Sequence, residues 1–229
     1  MKKLAILFLF LVYSLSAFNQ ESKINLGVLI SPSINYRLAS SEAKNFMSNN
    51  RPIFTSDFGV IMAYNLNDKK TLESGIIYSF YGYKAKDELE SADGIIGNHT
   101  LKVRFNSINI PLILNFNLKN NNVISLGLAN NINLKVTDIH KYDPETEING
   151  IPIRDTKVSK SGFKELKDSK HRIYNPSFVV SYGKKFSIIN DLQLTIRPSL
   201  NIQLLNYQKS VDINCYKFGV NILMTKNIN

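Results

Sequence analysis

The chain has no tryptophan and a single cysteine, Cys215. One thiol excludes an internal disulfide framework, and its late position leaves no cysteine after the first apolar run to carry a lipid anchor. Acidic residues are in deficit: 18 Asp and Glu face 28 Lys and Arg, for a formal net charge of +10. Beyond residue 20 no apolar run approaches the roughly 20 residues with which a helix crosses a bilayer. The nucleophile elbow G-x-S-x-G, the zinc helix H-E-x-x-H and the Walker phosphate loop are all missing. The three histidines, His99, His140 and His171, match no compact metal-ligand spacing and read as exposed loop residues. The sequence therefore predicts no catalytic set, no cofactor and no metal, and a non-enzymatic protein.

The first twenty residues set a compartment. Met1-Lys2-Lys3 is a short basic start, Leu4 to Val12 (LAILFLFLV) is unbroken and apolar, and Tyr13 to Gln20 turns small and polar. That order predicts a secretory signal peptide over 1–19 and an exported domain over 20–229. Without Lys2 and Lys3 the net charge of +10 falls to about +8. A basic exported chain suits lipopolysaccharide, anionic lipid or an acidic surface polymer as partner, the excess charge serving loop solubility at least as readily, and nucleic acid is not expected.

The remainder is dominated by period-two alternation, the signature of a strand with two unlike faces. Leu192, Leu194, Ile196, Pro198, Leu200, Ile202 and Leu204 alternate with Gln193, Thr195, Arg197, Ser199, Asn201 and Gln203. Eight such segments can be counted, over 24–36, 54–66, 71–83, 100–118, 122–136, 173–188, 191–207 and 213–225. In the fourth, Leu101, Val103 and Phe105 are odd while Ile108 to Phe116 are even. An extra residue near Asn106-Ser107, a β-bulge, is expected there, with Pro111 pointing inward.

Alternation alone suits a soluble sandwich as well as a membrane barrel. Three features favour the barrel. The segments exceed the usual soluble strand of about 5–6 residues. The non-apolar face is rich in Gly, Ser and Asn with isolated charges. Aromatics gather near segment ends, as interfacial girdles do. The links add a fourth argument. Asn67-Asp68-Lys69-Lys70, Lys119-Asn120-Asn121 and Ile189-Asn190 are short and carry turn-tolerant Asn or Asp. The links over 37–53, 84–99 and 137–172 are long, and only the last, around 208–212, is shorter. Short turns and long loops alternate as they do between the periplasmic and outer ends of outer-membrane barrels. The expected fold is all-β: an eight-stranded, antiparallel, up-and-down transmembrane barrel, both termini periplasmic, acting as a monomer.

Two stretches, INLGVLISPSINYRL (Ile24 to Leu38) and SINIPLILNFNL (Ser107 to Leu118), together with the signal peptide, resemble the PorT-like outer-membrane β-barrel family over nearly the whole chain. The resemblance implies the same small barrel. It leaves function open, since one subset of that family is linked to protein secretion across the outer membrane.

Five charged residues fall on the inward face: Asp57, Glu73, Lys135, Arg197 and Lys217. In a barrel just wide enough to be filled by side chains, they are expected to form a polar plug. The link over 137–172 carries Lys157, Lys160, Lys164, Lys167, Lys170 and Arg172, candidates for contact with lipid phosphate, polymer or another envelope protein. Small barrels that cleave peptides or transfer acyl chains set a His beside acidic or Ser partners, and no such set can be assembled from the sequence. The leading expectation is a structural or surface-interaction barrel acting through its outer loops. The alternative is a small transport or secretion-accessory barrel. A soluble, lipocalin-like periplasmic binder ranks third.

Overall fold

The computed structural model describes residues 24–39, 49–91, 94–142, 147–148, 151–152, 156–189, 192–206 and 213–228; the expected signal peptide lies outside them. Eight long strands form the barrel: β1 (Ile24–Ala39), β2 (Ile53–Asn67), β3 (Lys70–Ser91), β4 (Gly94–Asn117), β5 (Asn122–Tyr142), β6 (Tyr174–Ile189), β7 (Leu192–Gln203) and β8 (Ile213–Ile228). Each pairs antiparallel with its sequence neighbours. Ile24↔Ile228 through Ala39↔Ile213 join first strand to last and close the ring. Closure leaves no unpaired edge, the condition for a sheet to sit in hydrocarbon.

Turn chemistry fixes one end. Between β4 and β5, Asn120 and Asn121 adopt φ of 59° and 60°, the left-handed pair that a tight hairpin turn needs and that Asn tolerates. Between β2 and β3, the Lys69 amide donates to Asn67 Oδ1 at 3.0 Å, an Asx turn that reverses the chain within two residues.

At the other end the strands run on further than the sequence suggested. The link over 84–99 is largely strand, because β3 and β4 continue as one hairpin to Ser91↔Gly94. β5 likewise continues to Tyr142, and a short strand, Thr156–Gly162, pairs along its far edge from Lys135↔Gly162 to Lys141↔Thr156. Another short strand, Asn49–Arg51, pairs with β3.

The expected bulge exists, but on the neighbouring strand. Asn106 pairs with Lys135 and Ser107 with Asn133, so the extra residue is Leu134 in β5. β4 keeps one phase throughout: Leu101, Val103, Phe105, Ser107, Pro111, Ile113 and Asn115 are all buried. The apolar residues of its outer half thus face inward, into a core with Tyr81, Tyr83, Ala85, Val136 and Cys215. Periodicity locates an apolar face without saying whether lipid or protein covers it, so the change of face looked like a change of phase.

Candidate functional site

The barrel is apolar outside and polar within. Phe54, Ile76, Val60 and Leu112 are 78%, 64%, 59% and 53% exposed, while Ser33, Asn35, Ser79, Ser107, Asn115 and Ser125 are buried. Exposed apolar side chains continue around the wall, through Ile30 on β1, Leu128 on β5, Phe178 on β6, Leu200 on β7 and Phe218 on β8. A water-soluble monomer rarely exposes so continuous a patch; a barrel bathed in lipid requires it. On β3 the belt runs from the turn at Lys70 to Phe80. That length matches the roughly 9–11 residues of a tilted membrane strand.

The lumen is filled in layers. Nearest the tight turns, Arg197 on β7 reaches across to Glu73 on β3 through two parallel bonds, Nη2 to Oε1 at 2.8 Å and Nη1 to Oε2 at 3.0 Å. The same Nη1 donates to Asn115 Oδ1 (2.9 Å) and Ser125 Oγ (3.2 Å), and Asn115 Nδ2 donates to Glu73 Oε2 (3.0 Å). Both charges are almost fully buried, and bidentate Arg–carboxylate geometry is the arrangement that best repays such burial. Above it, Leu29, Ile61, Ile77 and Leu223 form an apolar layer. Next, Lys217 on β8 is ion-paired with Asp57 on β2, while Ser79 Oγ donates to Asp57 Oδ1 at 2.7 Å and accepts from Lys217 Nζ at 3.2 Å. A polar cavity of about 30 Å³ beside this layer, touching Asn35, Asn131 and Lys217, has room for about one or two waters.

Four of the five expected lumen charges therefore lie inside as two buried pairs. Lys135 does not: it is exposed, while its neighbour Val136 is buried. The bulge at Leu134 reverses the faces of β5, so residues read as lumenal beyond it point outward and even-numbered residues point in.

One of those inward residues is Asp138, which the sequence reading missed. Its Oδ2 lies 3.1 Å from His171 Nε2 and 3.5 Å from Lys170 Nζ. His171 is buried, edge-on to Phe105, and so is not the exposed loop histidine that the sequence suggested. It arrives with the segment 163–173, which folds back into the barrel mouth. Leu166 is fully buried there against the cluster of Tyr81, Tyr83, Phe105 and Val136. Asn133 Nδ2 donates to the Arg172 carbonyl at 2.7 Å, and Arg172 Nε donates to the Asn206 carbonyl at 2.7 Å. The loop is thus partly a stopper. A lone Leu in the run FKELKDSKHR was the available signal for it.

Of the six loop candidates, Lys157, Lys160, Lys164, Lys167 and Lys170 are exposed, whereas Arg172 is half-buried and committed to the mouth. His99 and His140 stand on β4 and β5 with ring nitrogens 3.0 Å apart, and Tyr142 stacks on His99. Among the described residues no group of three or more His, Cys, Asp or Glu is placed to hold a metal.

No family model matches the chain, and no curated protein matches it. Solved structures similar in fold include Ail, the attachment invasion locus protein of Yersinia pestis, in complex with the heparin analogue sucrose octasulfate (12% identity, 90% of this chain and 99% of that one, TM-score 0.37). Neisserial surface protein A is similar at 10% identity, over 86% and 95%, with a TM-score of 0.40. The outer membrane protease OmpT of Escherichia coli is similar at 10% identity, over 92% and 99%, with a TM-score of 0.47. Likeness at this level carries no argument about activity.

Proposed function

We propose that this chain is an integral outer-membrane barrel, closed to passage, that acts without catalysis as a structural or surface-interaction protein through its outer end. The observation that carries the reading is the pair of buried charge networks. Glu73–Arg197 crosses the lumen from β3 to β7, and Asp57–Lys217 closes the layer above it. With Leu166 and its cluster seated in the mouth, a small solute meets two polar layers and two apolar ones. The signal-peptide pattern and the closed barrel with its apolar outer wall support the outer membrane as location, because an exported barrel whose wall faces lipid belongs to that membrane. Short turns put both termini on the periplasmic side in this reading, and the PorT-like resemblance of Ser107 to Leu118 fits it.

The alternative, a transport or secretion-accessory barrel, needs a lumen that opens. The test is conductance of the purified protein, refolded and inserted in planar bilayers. A closed barrel gives no stable unit steps; reproducible steps in the native protein would contradict this reading and favour transport.

A further inference from the structure

Above the apolar belt, one flank of the barrel carries a lattice of basic side chains fixed by strand register. Arg51 pairs with Lys84, and Lys84 with Lys102 directly opposite. Residues directly opposite on antiparallel strands point to the same face, here the outer one. Two residues nearer the belt on β4, Arg104 aligns through Thr137 with Lys160 of the short strand. Lys135, turned outward by the Leu134 bulge, aligns with Asn106 one outward position lower. Lys102 feels the like charges of both Arg104 and Lys84.

Like charges directly opposite on a sheet destabilise it. Over 80–86 of β3, 100–106 of β4 and 135–141 of β5 no outward position is acidic, and among the described residues none of the six basic side chains has an ion pair. Glu165 accepts from the Gly162 amide at 2.6 Å at the patch edge. Just below, Tyr78 and Phe80 pack edge to face at 4.9 Å, and the Tyr78 hydroxyl accepts from Asn106 at 3.2 Å. Such aromatics mark the level where hydrocarbon gives way to headgroups. Between Phe80 and Lys84 stands Gly82, at φ +155°, where a Cβ would lie 2.0 Å from the Val103 carbonyl oxygen. That position is therefore held by a residue without a side chain. The opposite flank differs: the described outward residues at the upper ends of β1 and β6 to β8 include Tyr36, Tyr174, Leu204 and Tyr216 and no charge.

From this placement we infer a lipid-binding site on the outer wall of β3 to β5. Its ligand is an outer-leaflet lipid whose headgroup carries at least two phosphates. The acyl chains lie on the apolar belt, and the phosphates bridge the Lys84–Lys102 and Arg104 positions. Neighbouring strands are about 4.8 Å apart, so one phosphate fits between adjacent cations and the whole row exceeds what a single phosphodiester neutralises. The inference rests on the membrane-barrel reading above.

The test uses the full barrel folded into phosphatidylcholine vesicles with or without a tenth of bisphosphorylated or monophosphorylated lipid A. Co-purifying lipid is read by native mass spectrometry. Wild type should retain the bisphosphorylated lipid at least tenfold over the monophosphorylated one. The triple variant K84Q/K102Q/R104Q should lose that preference, and K119Q/K226Q, at the turn end, should keep it. Retention by the triple variant at wild-type level overturns the site, as does an equal loss in the turn-end control. Displacement by an equal concentration of inorganic pyrophosphate would show that the belt adds nothing and would overturn the lipid assignment. Failure of wild type to insert into pure phosphatidylcholine would instead overturn the membrane-barrel reading; insertion without lipid preference overturns only this inference.

Discussion

Glu73→Ala leaves the Arg197 guanidinium in a lumen where both side chains are within 3% of complete burial. Removing one member of a buried ion pair typically costs about 3–5 kcal/mol, because the other charge stays desolvated and unpaired. Two neutral acceptors remain, Asn115 Oδ1 and Ser125 Oγ, so the low end, about 3 kcal/mol, is expected. The double variant Glu73→Leu/Arg197→Met removes both charges together with both desolvation penalties. What is left is the loss of partners for Asn115 and Ser125, about 1–2 kcal/mol. The double variant should therefore be more stable than Glu73→Ala, and the cycle completed by the singles Glu73→Leu and Arg197→Met should give a coupling of about 2 kcal/mol or more. Urea unfolding in vesicles gives the numbers. Far-UV circular dichroism is the readout, since the chain has no tryptophan to follow. A Glu73→Ala cost below about 1 kcal/mol would mean that water reaches Arg197, and the claim of a dry, filled lumen would fall.

Three further outcomes follow from the same geometry. Leu200→Arg places a charge on the exposed apolar belt and should cost about 2–4 kcal/mol near mid-bilayer; a cost within about 0.5 kcal/mol, as for a water-facing substitution, would contradict the assignment of faces. Lys135→Gln should stay within about 0.5 kcal/mol of wild type, as exposed substitutions do, while Lys217→Gln strands Asp57 and should cost about 3 kcal/mol; a reversed order would put Lys135 back in the lumen. Leu166→Ala empties a fully buried site and should cost about 2–4 kcal/mol, with faster trypsin cleavage at Lys164 and Lys167; unchanged cleavage would show that the segment is not seated in the mouth.

How much of this was legible depended on whether the two faces of a strand meet different surroundings. On β7 lipid lies outside and polar groups inside, and Leu194 to Gln203 could be read directly. The same held for β1, and for Asp57, Glu73, Arg197 and Lys217. On the outer halves of β4 and β5 the surroundings invert. The interior there is an apolar core of Tyr81, Val103, Phe105 and Leu166, and the exterior is basic, so the pattern kept its period while exchanging its meaning. The bulge at Leu134 compounded this. Nothing local in NINLKVT marks an extra residue, because it is defined by what stands opposite on β4. Lys135 was misplaced for that reason, and Asp138 and His171 were missed.

The central claim is that the wall of this barrel faces lipid. Single cysteines at Val60, Leu112 and Leu200, in a C215S background to remove the one native thiol, can carry nitroxide labels with the protein folded in lipid vesicles. Electron paramagnetic resonance then compares collisions with oxygen, which concentrates in hydrocarbon, against a water-soluble nickel chelate. The account predicts oxygen dominant at all three positions, on three different strands of the ring. Dominant nickel collisions at these sites would place the wall in water and contradict the transmembrane barrel.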